Sequence, residues 1–176
     1  MQQFIAICLC IFVLFNTALA NDKTNQFSLS SSAFPDGGAM PVLYTCDGQN
    51  VSPQITWKNP PAHTKSFAII MSDPDAPSGT LYHWVLFNIP VTMPEVAQGV
   101  SPTKEMRVGK NDFGREQYNG PCPPKGSSHT YFITVYALDS NLSQKTGATA
   151  KEVLDGIQNH LIGESKLSAV YSRWLQ

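Results

Sequence analysis

The sequence predicts a mainly β protein of the sandwich or barrel type with one or two short peripheral helices. Short runs rich in aromatic and β-branched residues recur along the chain, at 27–31, 51–57, 67–71, 83–89 and 131–138. Clusters of Gly, Pro, Asn and Asp separate these runs and end the predicted strands, because such residues fix or free the φ angle. No repeat, linker or charge block indicates a second domain.

One segment departs from the β pattern. Thr149 and Glu152 have the spacing of a capping box, and apolar residues then recur on one helical face as far as Leu161. This pattern predicts a helix over 150–162 that ends at the following glycine. The sequence leaves a second, shorter helix over 101–110 open.

The composition excludes several functional classes. The 176 residues include 12 Lys and Arg against 13 Asp and Glu, so the net charge is -1. Nucleic acids and anionic membranes are bound through a positive face, and no basic cluster is present. We therefore expect no nucleic-acid partner. The length and the apolar fraction of 42% fit one domain with a sizeable core.

The first residues have the pattern of a secretory signal peptide. Residues 4–15 are all apolar, and the small-residue run 18–20 precedes a polar stretch. The pattern predicts a signal peptide over 1–20 and a single mature domain over 21–176. The start lacks the usual Lys or Arg. A membrane anchor is the weaker alternative, because the apolar stretch falls short of the roughly 20 residues that a spanning helix needs.

Cleavage after Ala20 would leave two of the four cysteines, Cys46 and Cys122. Two thiols in an exported chain favour one disulfide. Free buried thiols and metal ligation are the alternatives that the residues leave open.

Polar residues collect at the ends of predicted strands. Asp73 and Asp75 flank a proline, His83 and His129 begin apolar strands, and a second proline-rich loop covers 120–126. Together these groups suit a small polar site. The alternative is structural, because Asp in tight turns commonly accepts backbone N–H bonds and a lone His is commonly a satisfied core residue.

No motif indicates catalysis. The common hydrolase, dinucleotide and P-loop signatures are absent, and no nucleophile is paired with a base. We therefore expect a protein that is not an enzyme and needs no cofactor. The Asp, His and Cys candidates lack the short regular spacing of structural zinc sites, so no metal is expected either.

Four ordered motifs carry a family resemblance. They are Asp-Pro-Asp-Ala-Pro-Ser-Gly at 73–79, Tyr-His-Trp-Val at 82–85, Tyr-Asn-Gly-Pro-Cys-Pro-Pro-Lys-Gly at 118–126 and His-Thr-Tyr at 129–131. This set resembles the phosphatidylethanolamine-binding protein family. Tyr-Thr-Cys-Asp-Gly at 44–48, with Ser52, Pro53 and a closing helix and short strand, resembles its bacterial Raf-kinase-inhibitor-like subgroup. The resemblance covers essentially the whole mature chain.

The resemblance implies a Greek-key β-sandwich with a small anion pocket at one end. Residues that match the family's pocket are Asp73, His83, His129 and Tyr131, with a wall formed by Gly120, Pro121, Cys122 and Pro123, and with Asp47, Asp75 and Trp84 as supporting residues. Cys122 stands where animal members have Gly, so a tighter rim is expected. Pairing with Cys46 would lock that rim to the Asp47 loop, which argues against lipid-sized ligands.

The resulting expectation is a bacterial binding module of the periplasm or the extracellular space. Its ligand would be a small anion, phosphate or a phospholipid headgroup, that keeps one proton for Asp73 to accept while the His rings and Tyr131 donate. A protein partner that it modulates or inhibits, and a homodimer, stay open. The alternative function is a hydrolase of phosphoester, ester or peptide bonds that uses Asp73 and His83 on a bound water.

Overall fold

The computed structural model describes residues 26–174. The strands are β1 (Ser28–Ser30), β2 (Gly38–Ala39), β3 (Ile55–Lys58), β4 (Ser66–Asp73), β5 (Leu81–Pro90), β6 (Glu95–Val96), β7 (Arg107–Val108), β8 (Ser127–Leu138) and β9 (Leu161–Arg173). The helix α1 covers Ala150–Gln158, and a short 3-10 turn covers Val42–Tyr44. The signal peptide predicted over 1–20 lies outside the described residues.

The strands form two sheets that face each other, which confirms the β-sandwich. The smaller sheet has the order β1-β3-β6 and the larger one the order β2-β9-β8-β4-β5-β7. Every pairing is antiparallel except that of β2 with β9. Strand β8 returns over a long connection to lie beside β4, as in Greek-key folds.

The main core lies between the two sheets. It includes Ile55 and Trp57 of the smaller sheet and Phe67, Ile69 and Ile133 of the larger one. Trp57 and Phe67 have ring centroids 5.0 Å apart, so aromatic contact joins the sheets.

Helix α1 covers the outer face of the larger sheet. Val153 and Ile157 pack against a second apolar cluster that includes Ile70 and Phe87. The predicted capping box is present at its start, where the Thr149 hydroxyl accepts the Glu152 N–H and the Glu152 carboxylate accepts the Thr149 N–H.

Two sequence predictions near the C-terminus were wrong in extent. The helix ends at Gln158 rather than at 162, because Leu161 already pairs with Leu138 in the β8–β9 ladder. The closing strand, expected to be short, has 13 residues. Pairing along the whole of β8 stabilises this strand beyond what its local sequence indicates.

The segment 101–110 contains no helix. Arg107–Val108 forms the edge strand β7, which pairs with Phe87 and Leu86 of β5. The five predicted strands are present, with β4, β5 and β8 longer than predicted. Only the second half of the run 51–57 forms a strand, β3.

Candidate functional site

A cluster of buried polar side chains lies at one end of the main core. Asp73 is two residues beyond the core residue Met71 on β4 and so shares its face. His129 and Tyr131 occupy the corresponding end of β8, where Tyr131 still belongs to the core. The polar cluster therefore continues the apolar rows at the point where two neighbouring strands reach the edge of the sandwich.

His83 joins this cluster through an irregularity in the β4–β5 ladder. Met71 pairs with Trp84 and Ser72 pairs with Tyr82, so His83 is the extra residue between them. A bulge of this kind turns one side chain away from the simple alternation of the strand. His83 is 2% exposed, which makes it a fully buried imidazole.

Asp73 is the centre of the cluster. His129 Nδ1 lies 2.8 Å from Asp73 Oδ2, and His83 Nε2 lies 4.0 Å from the same oxygen. The other oxygen, Oδ1, accepts the N–H of Asp75 at 2.9 Å. Asp75 itself is exposed, and its carboxylate accepts the N–H of Thr130 at 2.7 Å. Asp75 thus stabilises the loop, whereas Asp73 holds the imidazole of His129.

The protonation of His83 follows from its surroundings. Its Nδ1 lies 2.8 Å from the carbonyl oxygen of Asn119, which can only accept, so Nδ1 carries the proton. Burial lowers the pKa of His83, and the Asn119 carbonyl and the charge of Asp73 offset this effect only in part. Neutral His83 therefore presents Nε2 as an acceptor, and not as the donor expected from the sequence.

Tyr131 supplies the complementary donor. Burial raises the pKa of its hydroxyl, and the charge of Asp73 raises it further, so the phenol keeps its proton. Its ring stands at 89° to the His83 ring with centroids 5.3 Å apart. Neither the Tyr131 hydroxyl nor His83 Nε2, both buried, makes a hydrogen bond of normal geometry with the described residues. Asp73 and the Cys122 backbone lie close enough to the Tyr131 hydroxyl to influence its pKa. An unpaired buried polar group costs about 1–3 kcal/mol, so both atoms favour a polar guest.

The proline-rich residues 120–123 form a rim beside the cluster, because the Gly120 backbone neighbours His83 and the Cys122 backbone neighbours Tyr131. The Cys46–Cys122 disulfide joins the rim to the loop between β2 and β3, which confirms the predicted bridge. The Cys46 N–H also donates to the Pro121 carbonyl at 3.1 Å. Cys122 is exposed, whereas Pro121 and Pro123 are buried.

The rim approaches this loop too closely for any side chain at Gly120. A Cβ added there would lie 2.2 Å from the carbonyl oxygen of Tyr44. The Gly120 N–H donates to Asn50 Oδ1 at 2.6 Å, and the Tyr118 hydroxyl donates to the Tyr44 carbonyl at 2.7 Å. The rim is therefore fixed by backbone contact as well as by the disulfide.

Two of the predicted supporting residues lie outside the cluster. Asp47 is exposed and accepts hydrogen bonds from Arg173 at 2.9 Å and from the Tyr171 hydroxyl at 2.7 Å. Both bonds lower the pKa of Asp47, and the bond from Tyr171 has the larger effect. Arg173 also donates to the Pro123 carbonyl at 3.2 Å, so Asp47 supports the rim indirectly. Trp84 belongs to the main core.

Residues 26–174 contain neither a metal-binding cluster nor a helix that could span a membrane. No group of three or more His, Cys, Asp and Glu side chains is arranged to hold a metal ion. No helix in this part of the chain has the length and hydropathy to cross a membrane.

Three residues near His83 carried no functional prediction from the sequence. Asn119 acts through its backbone carbonyl, which leaves no signature in a sequence. Asn111 is 3% exposed and donates to the His83 carbonyl at 3.3 Å, and Phe113 places its ring 5.1 Å from the His83 ring. The Asn-Asp-Phe-Gly stretch is a turn signal that could have indicated this loop, although not its contact with His83.

A two-sheet sandwich whose core ends in a buried Asp, two His and a Tyr defines a β-sandwich binding protein. Comparison with known families agrees with this class. The family model described as phosphatidylethanolamine-binding protein matches residues 30–172. The chain belongs to this family.

Relatives match over nearly their full length. A UPF0098 protein of Methanothermobacter thermautotrophicus is 43% identical over 150 residues, which are 83% of this chain and 99% of that protein. The UPF0098 protein YbhB of Escherichia coli is 34% identical, over 82% of this chain and 99% of its own. The crystal structure of the homologue CT736 from Chlamydia trachomatis has a TM-score of 0.79 at 32% identity, covering 85% of this chain and 99% of that chain. Escherichia coli YbcL also has a TM-score of 0.79, at 30% identity, covering 83% of this chain and 98% of that chain.

Proposed function

We propose that this chain is an exported binding protein whose pocket takes a small phosphate-type oxyanion, as free phosphate, a phosphomonoester or a phospholipid headgroup. One observation carries the proposal: His83 Nε2 and the Tyr131 hydroxyl are buried and unpartnered beside Asp73. Membership of a family named for binding a phospholipid supports the ligand class.

The two unpartnered atoms suit an anion that keeps one proton. The P–OH group of a monoprotonated phosphate donates to His83 Nε2, and the Tyr131 hydroxyl donates to another phosphate oxygen. Asp73 already accepts from His129 and from the Asp75 N–H, so it acts mainly by holding this geometry. The second pKa of a phosphomonoester lies near 6, which keeps the monoprotonated form available near neutral pH. Sulfate offers no such proton.

The pocket favours a small ligand. The rim has little freedom to move, because a disulfide and backbone hydrogen bonds attach it to the loop that contains Cys46 and Asn50. Access therefore depends on side chains at the surface. Such a pocket admits a headgroup more readily than a whole lipid.

Export and a protein partner are further parts of the proposal. The predicted signal peptide and the disulfide are typical of a chain that works outside the cytoplasm. A modulated or inhibited partner would then be an extracytoplasmic protein, since cytosolic kinases are out of reach of an exported chain.

Calorimetric titration of inorganic phosphate, phosphoethanolamine and sulfate between about pH 5.5 and 8 tests the proposal, because phosphate and His titrate in this range. Wild type should bind inorganic phosphate and phosphoethanolamine in preference to sulfate. The variants His83→Ala and Tyr131→Phe should bind both phosphate compounds more weakly. His160→Ala is the control, since His160 pairs with Asp139 at 2.9 Å on the surface. Equal binding of all three anions by every variant would place the site elsewhere.

The same proteins test the hydrolase alternative. The imidazole that Asp73 orients is His129, at 2.8 Å, and not the His83 of the original expectation. Turnover of phosphoester, ester or peptide panels that is lost in His129→Ala and kept in His160→Ala would replace the binding function with catalysis.

A further inference from the structure

Phe113 is an exposed aromatic residue in contact with the pocket. It is 42% exposed, and its ring meets that of the buried His83 at 66° with centroids 5.1 Å apart. It lies in a turn between β7 and the rim, residues 111–115. No pocket residue predicted from the sequence comes from this turn.

The turn holds Phe113 in a fixed place. The buried Asn111 uses its Oδ1 to accept the N–H groups of Phe113 at 3.1 Å and of Arg115 at 3.0 Å. Its Nδ2 donates to the His83 carbonyl at 3.3 Å. The φ of Gly114 is +75°, a conformation that favours glycine. The position of Phe113 relative to His83 is therefore built into the fold.

The turn is also attached to both neighbouring segments. The Asp112 carboxylate accepts the Tyr82 N–H at 2.7 Å, and the Asp112 N–H donates to the Tyr82 carbonyl at 3.0 Å. The Arg115 guanidinium donates to the Asn119 side chain at 3.3 Å, next to the carbonyl that holds His83. These bonds tie the turn both to the start of β5 and to the segment that precedes the rim.

Among residues 26–174, two aromatic rings contact the His83 imidazole, and they differ in exposure. Tyr131 is 1% exposed and lies in the core, whereas Phe113 reaches the surface. A phosphate at His83 Nε2 fills the buried side. A substituent on that phosphate has to extend toward solvent, and of these two rings Phe113 is the one that is exposed at the surface.

We propose that Phe113 is a specificity-determining residue that contacts the organic substituent of a phosphomonoester bound at His83. This inference rests on the proposed function and deepens it. The exposed part of the ring offers apolar surface to an organic group, and inorganic phosphate has no such group to place there. Phe113 thereby favours esters of phosphate over the free ion.

Calorimetric titration at pH 6.5 with inorganic phosphate, butyl phosphate, phenyl phosphate and phosphoethanolamine tests this inference. Phe113→Ala should weaken the esters about fivefold and inorganic phosphate by less than about twofold. Phe113→Trp should keep the preference for esters, which shows that an aromatic ring suffices. Leu161→Ala is the matched control, because Leu161 is 41% exposed and begins β9 opposite Leu138, at the far end of β8.

The outcomes separate this inference from the proposed function. If Phe113→Ala loses affinity for phosphoethanolamine alone, the result supports the Phe113 contact and assigns it to a cation–π interaction. If His83→Ala abolishes phosphate binding while Phe113→Ala leaves the preference for esters unchanged, the inference is overturned and the proposed function stands. If the wild type binds no phosphate compound, both are overturned.

Discussion

His129 donates from Nδ1 to Asp73 Oδ2 over 2.8 Å, and both side chains are buried. The chain contains a second His–Asp pair of nearly the same length, His160 with Asp139 at 2.9 Å, whose side chains are 40% and 51% exposed. Asp139 directly follows β8 and is ten residues after His129, which places the two residues roughly 30 Å apart. The two pairs therefore allow the effect of burial on one interaction to be measured within one fold.

Asp73→Asn should destabilise the protein more than Asp139→Asn does. A hydrogen bond to a charged, buried group contributes about 1.5–3 kcal/mol, so the free energy of unfolding should fall by that amount in Asp73→Asn. The exposed pair should contribute less than about 1 kcal/mol. Urea denaturation of wild type and both variants measures the difference. Equal losses of unfolding free energy in the two variants would show that burial does not strengthen the His129–Asp73 interaction.

The disulfide should stabilise the protein mainly through the unfolded chain. Cys46 and Cys122 are 76 positions apart, and closing a loop of that size is worth about 4 kcal/mol in the chain-entropy model. The double variant Cys46→Ser with Cys122→Ser should fold, because the core between the sheets is unchanged. It should unfold at a lower urea concentration than wild type. Wild type treated with reductant should behave like the double variant. Unchanged stability in both would contradict the entropic account.

The sequence predicted the architecture better than the ends of its elements. Runs of aromatic and β-branched residues bounded by turn residues identified β4, β5 and β8, since these strands are long and carry their own apolar pattern. The stop of α1 at Gln158 was missed, because the pairing of Leu161 with Leu138 is a long-range contact. The same reason explains why β7 in the segment 101–110 was not predicted.

The members of the buried polar cluster were predicted by residue type, but their hydrogen bonds were not. The family motifs identified Asp73, His83, His129 and Tyr131, and the structure brings all four together. The roles of donor and acceptor depend on the Asn119 carbonyl, which no side-chain motif reports.

Gly120→Ala should displace the rim. The added Cβ would meet the backbone oxygen of Tyr44 at 2.2 Å, and a backbone atom cannot rotate away as a side chain can. We expect a loss of about 1–3 kcal/mol in the free energy of unfolding and weaker phosphate binding. Gly156→Ala is the control, because the three atoms nearest to its Cβ belong to the movable Gln144 side chain and alanine favours the helix. A fully stable Gly120→Ala protein with wild-type binding would show that the rim does not shape the pocket.

Cleavage of the predicted signal peptide can be tested by measuring the mass of the exported protein. Expressed from Met1 in a bacterial host, the exported protein should begin at Asn21 and contain no thiol that reacts before reduction. Ala18→Lys with Ala20→Lys should block cleavage, because the small residues before the cut are needed. An exported chain that keeps residues 1–20, or that shows two free thiols, would contradict the prediction.

The protonation of His83 should link folding to pH. Because its folded-state pKa lies below the unfolded value of about 6.5, the unfolded chain binds the proton first as the pH falls. The stability that neutral His83 provides is therefore present above about pH 6.5 and is lost as the pH falls through the folded-state pKa.

His83→Asn isolates this effect, because asparagine keeps a side-chain donor for the Asn119 carbonyl but does not titrate. Urea denaturation from about pH 7.5 to 5 should show a steeper loss of stability in wild type than in the variant. Nitrogen-15 NMR of the ring should find Nδ1 protonated and a pKa below 6.5. A ring protonated at Nε2 at neutral pH would make His83 a donor to the ligand. The preference for a monoprotonated phosphate over sulfate should then disappear, since both anions would receive the same bond.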